Sequence, residues 1–208
     1  MTFSHTTRER AQQIIDRYPV GRSRSALLPL LHLVQSEDGY VTPQGVAFCA
    51  EVLGITKAEV GAVATFYTMY KRRPTGQYLI SCCTSISCML LRADDVLHAV
   101  EDESGVPHGE TGDDGLLSVE HVECIGACGG APAVQVNYEL IEGVTPDKAR
   151  ELVRWLRSAR PEIINTDEMQ ELFGGVRSFD WAIREEDGAA GPYPAFQPLG
   201  TVGGEAKT

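Results

Sequence analysis

Four cysteines in two close pairs constrain this 208-residue chain more than any other feature. Cys83 and Cys88 are spaced C-x4-C, and Cys124 and Cys128 are spaced C-x3-C. The thirty-five residues from Met89 to Glu123 that separate them read as a helix, a loop and a strand. Each pair comes at the end of a predicted strand, so a sheet whose strands end at one edge would gather all four thiols. The fold therefore has to be one in which distant segments meet at a strand edge.

The rest of the pattern predicts how that happens. Residues 6–17 read as a first helix, stopped by Tyr18-Pro19. Ser25 is placed to cap a second, with Leu28, Leu31 and Val34 at helical spacing and Gly39 near its end. Thr42-Pro43 is a cap followed by proline at the first helical position, with Gly54 as the stop. Thr56 and Glu59 form a capping box for a fourth helix. After Pro74-Thr75-Gly76 the periodicity changes. A strand over 78–82, a helix over 89–103 with Leu90, Leu91, Val96, Leu97 and Val100 as its buried face, and a polar loop over 105–115 follow. Strands are expected at 116–123, with Leu117, Val119 and Val122 inward, at 133–136, and at 139–141 after the turn residues Asn137-Tyr138. Thr145-Pro146 opens a last helix to Leu156 with Leu152 and Trp155 buried. The predicted class is α+β: an N-terminal helical bundle (1–74), a compact α/β domain of order β-α-β-β-β-α (75–160), and an irregular extension (161–208). Phe179, Trp181, Tyr193 and Phe196 are expected to seat that extension on a neighbouring subunit.

Composition narrows the chemistry. Hydrophobic residues at 43% allow a packed core without disulfide staples, and a net charge of −11 disfavours nucleic acid and anionic membrane surfaces. No apolar stretch is long enough to span a bilayer. Residues 1–10 lack a secretory apolar run, which predicts a cytosolic, reducing compartment and argues against disulfides. A thioredoxin-type redox pair needs C-x2-C, which is absent. Two readings of the four thiols stay open on spacing. One is a structural zinc site; the other is a 2Fe–2S cluster, in which each tetrahedral iron takes two thiolates and shares two sulfides. Gly126, Gly129 and Gly130 would let backbone amides near the sulfurs. Of the remaining cysteines, Cys49 lies in an apolar helix and reads as core. Cys82 and Cys83 point to opposite faces of one strand, and Cys83, on the loop side, is the expected ligand. His121, three residues before Cys124, has no second histidine at Rieske spacing.

Several short motifs occur together and in order. Glu123-Cys124-Ile125-Gly126-Ala127-Cys128 resembles the E-C-x-G-A-C signature of the 24-kDa, or E, subunit family of NADH:quinone oxidoreductase (complex I). Ala64-Thr65-Phe66-Tyr67-Thr68-Met69-Tyr70 is similar to that family's A-T-F-Y segment, and Gln35-Ser36-Glu37-Asp38-Gly39-Tyr40 to its Q-x-x-x-G-W/Y turn. Cys83-Thr84 with Cys88-Met89-Leu90 resembles its C-T-x-x-x-C-x-L loop. The likeness spans roughly residues 10–157. It departs at Ser87, where proline is usual, at Leu91-Arg92-Ala93, and at Cys82.

The resemblance implies a helical bundle joined to a thioredoxin-like domain that holds one 2Fe–2S cluster on Cys83, Cys88, Cys124 and Cys128. It further implies an electron-transfer subunit of a proton-translocating NADH dehydrogenase, with no substrate site of its own. NADH and FMN would sit on a partner flavoprotein (the F-like subunit), and a large iron–sulfur protein (the G-like subunit) would be a second neighbour. The assembly would lie peripherally on the cytoplasmic face of the membrane. This chain has no G-x-G-x-x-G after a strand, so no nucleotide site is expected on it. The same module would equally serve an NAD-linked hydrogenase or formate dehydrogenase.

Overall fold

The computed structural model describes residues 3–179 and 188–192. Their contacts separate into two units, the first ending at Pro74 and the second running from Thr75 to Pro192. Trp181, Tyr193 and Phe196, named above as anchors of the extension, lie outside the described residues.

The first unit is the helical bundle: α1 (His5–Ile15), α2 (Leu27–Asp38), α3 (Pro43–Leu53) and α4 (Lys57–Phe66). Its ends are set by the residues that satisfy orphan backbone groups. The Thr42 hydroxyl accepts from the Gly45 amide at 3.0 Å with Pro43 beginning the helix, and Gly54 ends α3 in the left-handed region. Thr56 and Glu59 form a reciprocal capping box on α4. Ser25 does not cap α2; it lies in a 3-10 turn, Ser23–Ala26, that leads into the helix without a side-chain cap. Leu30, Leu31, Val34, Phe48, Cys49 and Val60 are buried together at the centre. Cys49 is thus a core residue, and burial pushes its thiol up to about 12.

The second unit is built on a five-stranded sheet of order β2-β3-β1-β4-β5, from β1 (Tyr78–Cys83), β2 (Glu110–Thr111), β3 (Leu117–Val122), β4 (Ala133–Val136) and β5 (Glu139–Glu142). Only β1 and β3 run parallel. Central β1 is buried on both faces, which explains its unbroken run of apolar and small residues. The hairpin β4–β5 turns on Asn137-Tyr138, both at positive φ (52° and 72°), the conformation a two-residue turn needs for the strands' twist. Asn137 also clasps β1: its Oδ1 accepts from the Leu79 amide (2.8 Å) and its Nδ2 donates to the Gln77 carbonyl (3.1 Å). This buried amide holds the hairpin to the central strand.

The helices of this unit are α5 (Ile86–Leu90), α6 (Ala93–Ser104), α7 (Pro146–Ala159) and α8 (Thr166–Phe173). Helix α6 lies over β1 and β3, α7 packs along α6, and α8 meets β5 and α7. Leu97, Val100, Leu152, Val153, Leu156, Met169 and Phe173 join Tyr78, Ile80 and Val119 in one core. Among the described residues no helix is long and apolar enough to cross a membrane.

Three further expectations need correction. The single helix foreseen over 89–103 is two helices, broken where Arg92 takes a left-handed φ of 68°. Leu90 and Leu91 are consequently exposed rather than buried. Residues 161–179 are not irregular throughout: Asn165 caps α8 by accepting from the Asp167 and Glu168 amides, and Ile164, Met169 and Phe173 complete the core of the second unit.

Candidate functional site

Parallel pairing places the C-terminal ends of β1 and β3 side by side, with Cys83 opposite Val122. The Thr84 amide donates to the Val122 carbonyl (3.2 Å), and Ser85 Oγ lies 3.1 Å from Glu123 Oε2. The two loops that carry the four cysteines therefore leave the sheet at one edge and are tied together there.

Strand alternation separates the adjacent thiols. Cys82, 1% exposed, belongs to the main core with Tyr78 and Ile80. Cys83, 2% exposed, faces the other way into a small cluster with Cys88, Ala93 and Ala133, bordered by Ile125, Ala127, Ala131 and Leu140. Burial, with further contributions from Glu101, Glu120 and Cys83, pushes the Cys82 thiol up to about 12. Its thiolate is the form a metal requires, and its burial keeps it protonated.

Cys88 is 3% exposed on α5. Its thiol is pushed up to about 11, first by burial and then by its sulfur neighbours Cys83 and Cys128, while a backbone hydrogen bond at Ala133 works the other way. Cys88 thus feels one thiol from its own pair and one from the other. Cys124 and Cys128 are exposed, with their Sγ atoms 3.7 Å apart. Crowded thiols resist ionising one after another, and a cationic core reverses that by neutralising the thiolates it binds. Among the described residues no three or more His, Cys, Asp or Glu side chains converge as a single-ion site. The thiols stand as two pairs of soft sulfur donors, a set that either an iron–sulfur unit or zinc can use.

The glycines of the second loop have distinct physical reasons. Gly126 has a φ of 93° with open space around its Cβ position, so conformation demands it. Gly130 is demanded by crowding, and Gly129 is tightly packed. A Cβ on Gly129 would stand 3.0 Å from Ser178 Oγ, and one on Gly130 would collide with the Glu142 side chain. Beside this loop lies a cavity of about 470 Å³, bounded by Ile125–Ala127 on one side and by Leu140, Gln170, Arg177 and Phe179 on the other. His121, at the exposed end of β3, packs edge-on against His108 with ring centroids 5.2 Å apart, and His108 pairs with Glu101 (2.7 Å).

Glu142, Gln170 and Ser178 at the back of the second loop were invisible to spacing arguments, because they come from three separate segments. The signal for the element carrying Gln170 was present: a polar cap at Asn165, acids at Asp167 and Glu168, and apolar Met169 and Phe173 at helical spacing. The departures from the resembled pattern lie close to the thiols: Ser87 precedes Cys88 on α5, Cys82 precedes Cys83 on β1, Leu91-Arg92 form the exposed α5–α6 junction, and Ala93 packs in the cluster with Cys83 and Cys88.

Residues 11–157 match the family described as thioredoxin-like [2Fe-2S] ferredoxin. The chain is 53% identical over 152 residues to the NADH-quinone oxidoreductase E subunits of Mycobacterium tuberculosis and Mycobacterium bovis, covering 73% of this chain and 60% of theirs. It thus spans about three-fifths of the length of these mycobacterial relatives. It is 36% identical over 161 residues to NADH-quinone oxidoreductase subunit 2 of Thermus thermophilus, covering 77% of this chain and 89% of that one. Among solved structures, an air-oxidised NAD+-reducing [NiFe]-hydrogenase superposes with a TM-score of 0.61 at 20% identity, over 72% of this chain and 25% of that one. At that identity the likeness is one of fold.

Proposed function

The chain belongs to the thioredoxin-like [2Fe-2S] ferredoxin family, and we propose that it is the electron-transfer subunit of an NADH-quinone oxidoreductase, with Cys83, Cys88, Cys124 and Cys128 as the ligands of one 2Fe–2S cluster. The carrying observation is the pair-by-pair arrangement of four thiols at one sheet edge, two walled in by apolar residues and two open to solvent. The 53% identity to two E subunits of that oxidoreductase favours it over the hydrogenase, whose likeness is confined to fold.

When bound, the cluster supplies a one-electron store. The residues of this chain do the rest. Cys83 and Cys88 hold one side of the site in a dry wall of Ala93 and Ala133, where water is excluded and electrostatic effects are strong. Cys124 and Cys128 hold the side that faces outward. Helix α5, which bears Cys88, presents Ile86 (72% exposed), Met89 and Leu90 (74%), followed by Leu91, as an uncovered apolar strip. Such a strip needs a partner. The partner proposed is the NADH- and FMN-binding flavoprotein subunit, which would bring its flavin near the thiols, with the large iron–sulfur subunit as a further neighbour in a peripheral membrane assembly. Residues 161–208 are proposed to help seat the chain there.

Anaerobic purification with iron, sulfide and zinc assays and EPR after reduction tests this reading. About two irons and two sulfides per chain, with a reducible EPR signal, are expected. A colourless chain carrying zinc would overturn it.

A further inference from the structure

We infer that Glu142 and Ser178 are positioning residues for Cys128, locking the turn behind that cysteine from a segment beyond the family's matched region; the inference rests on Cys128 being a cluster ligand. Cys128–Gly130 form a 3-10 turn whose free face is held by the end of β5. The Gly143 amide donates to the Gly130 carbonyl at 2.5 Å, and the Glu142 side chain lies where a Gly130 Cβ would stand. Glu142, only 7% exposed, is in turn gripped from residues 170–178. Its carboxylate accepts from the Ser178 hydroxyl and, at 3.2 Å, from the Ser178 amide. Its backbone amide donates to Gln170 Oε1 (2.8 Å), and its carbonyl accepts from Gln170 Nε2 (3.0 Å) and the Gly175 amide (2.8 Å). Arg177 pairs with Asp167 at 2.6 Å, returning the segment to α8.

The logic follows from what Cys128 lacks. Cys83 and Cys88 are set by a strand and a helix, whereas Cys128 sits on an exposed glycine turn with large conformational freedom. A ligand held loosely samples geometries that release iron. The carboxylate–hydroxyl contact is charge-assisted and largely shielded from water, and it bears on the two glycines that directly follow the thiol. The family match ends at residue 157, so Gln170, Gly175 and Ser178 lie beyond the matched residues. Glu142 also places a buried acid near the cluster, where a negative charge opposes reduction.

The test uses the full-length holoprotein and its Ser178→Ala, Ser178→Thr and Glu142→Gln variants. Cluster bleaching by an iron chelator should be about tenfold faster in Ser178→Ala, from loss of one charge-assisted hydrogen bond. The EPR spectrum of Ser178→Ala should change, and Ser178→Thr should return both readouts toward wild type. Glu142→Gln should raise the midpoint potential. Wild-type bleaching, spectrum and potential in Ser178→Ala and Glu142→Gln would overturn the inference. So would Ser178→Thr behaving as Ser178→Ala with bleaching that merely tracks a lower unfolding temperature. Absence of any reducible cluster in the wild type would remove the ligand reading itself, and is told apart by appearing before any substitution is made.

Discussion

The two thiol pairs differ in how the chain holds them. Cys83 and Cys88 are buried, placed by β1 and α5 and walled by Ala93 and Ala133. Cys124 and Cys128 are exposed, placed by a loop whose shape depends on Gly126 and on what presses against Gly129 and Gly130. Regular structure fixes a side chain through many cooperative backbone bonds, whereas a loop needs specific contacts supplied from elsewhere. The difference teaches that one site can be half prefabricated and half assembled, with the second half facing the solvent.

Removing the proposed ligands one at a time would break or sharpen that contrast most strongly. Cys83→Ala or Cys88→Ala should abolish iron and sulfide binding, with no recovery on adding a small thiol, because the gap is sealed. Cys124→Ala or Cys128→Ala should also lose the cluster, but 2-mercaptoethanol should restore part of the visible absorbance, since solvent reaches that side. Equal recovery at all four positions would erase the distinction.

A smaller effect is expected in the apoprotein. Iodoacetamide should modify Cys124 and Cys128 on the order of a hundredfold faster than Cys88 at neutral pH, read by peptide mass spectrometry. Burial raises the Cys88 pKa to about 11, so its thiolate is scarce at neutrality and its modification rate should climb with pH toward that value. The same sign bears on stability. A folded pKa above the ordinary thiol value of 9.0 means the native state keeps its proton while the unfolded chain releases it. Apoprotein stability should therefore be full below about pH 9 and fall as pH rises toward about 11.

The smallest effect separates neighbours on β1. Cys82→Ala should leave the iron content unchanged and lower stability by about 1 kcal/mol, the loss of one buried atom's packing, measured by urea unfolding. Iron loss in Cys82→Ala with retention in Cys83→Ala would reverse the assignment.

Much of this was legible in the sequence because the signals were local. Thr42-Pro43, Thr56 with Glu59, and Gly54 mark helix ends through bonds made within a few residues. The alternation in β1 separates Cys82 from Cys83 by strand geometry alone. The departures arose where local signals were weak or overridden. Helix α5 is five residues long, too short for periodicity to register, and the break at Arg92 depends on a left-handed residue that is not glycine. Helix α8 was masked by the glycines and prolines around it, although its cap and its apolar spacing were readable. The contacts behind Cys128 join residues 28 to 36 positions apart, and no short-range pattern encodes such a meeting.

Asn137 carries a last consequence through its clasp on Leu79. Because Cys82 and Cys83 are consecutive, a slip of β1 by a single step would turn the wrong sulfur outward and present iron with a counterfeit ligand. The buried amide pins the phase of the strand through groups that need no metal to form. Polypeptide parity is thus decided ahead of inorganic chemistry, and under the proposed assignment an arriving cluster would meet only Cys83 at this strand end.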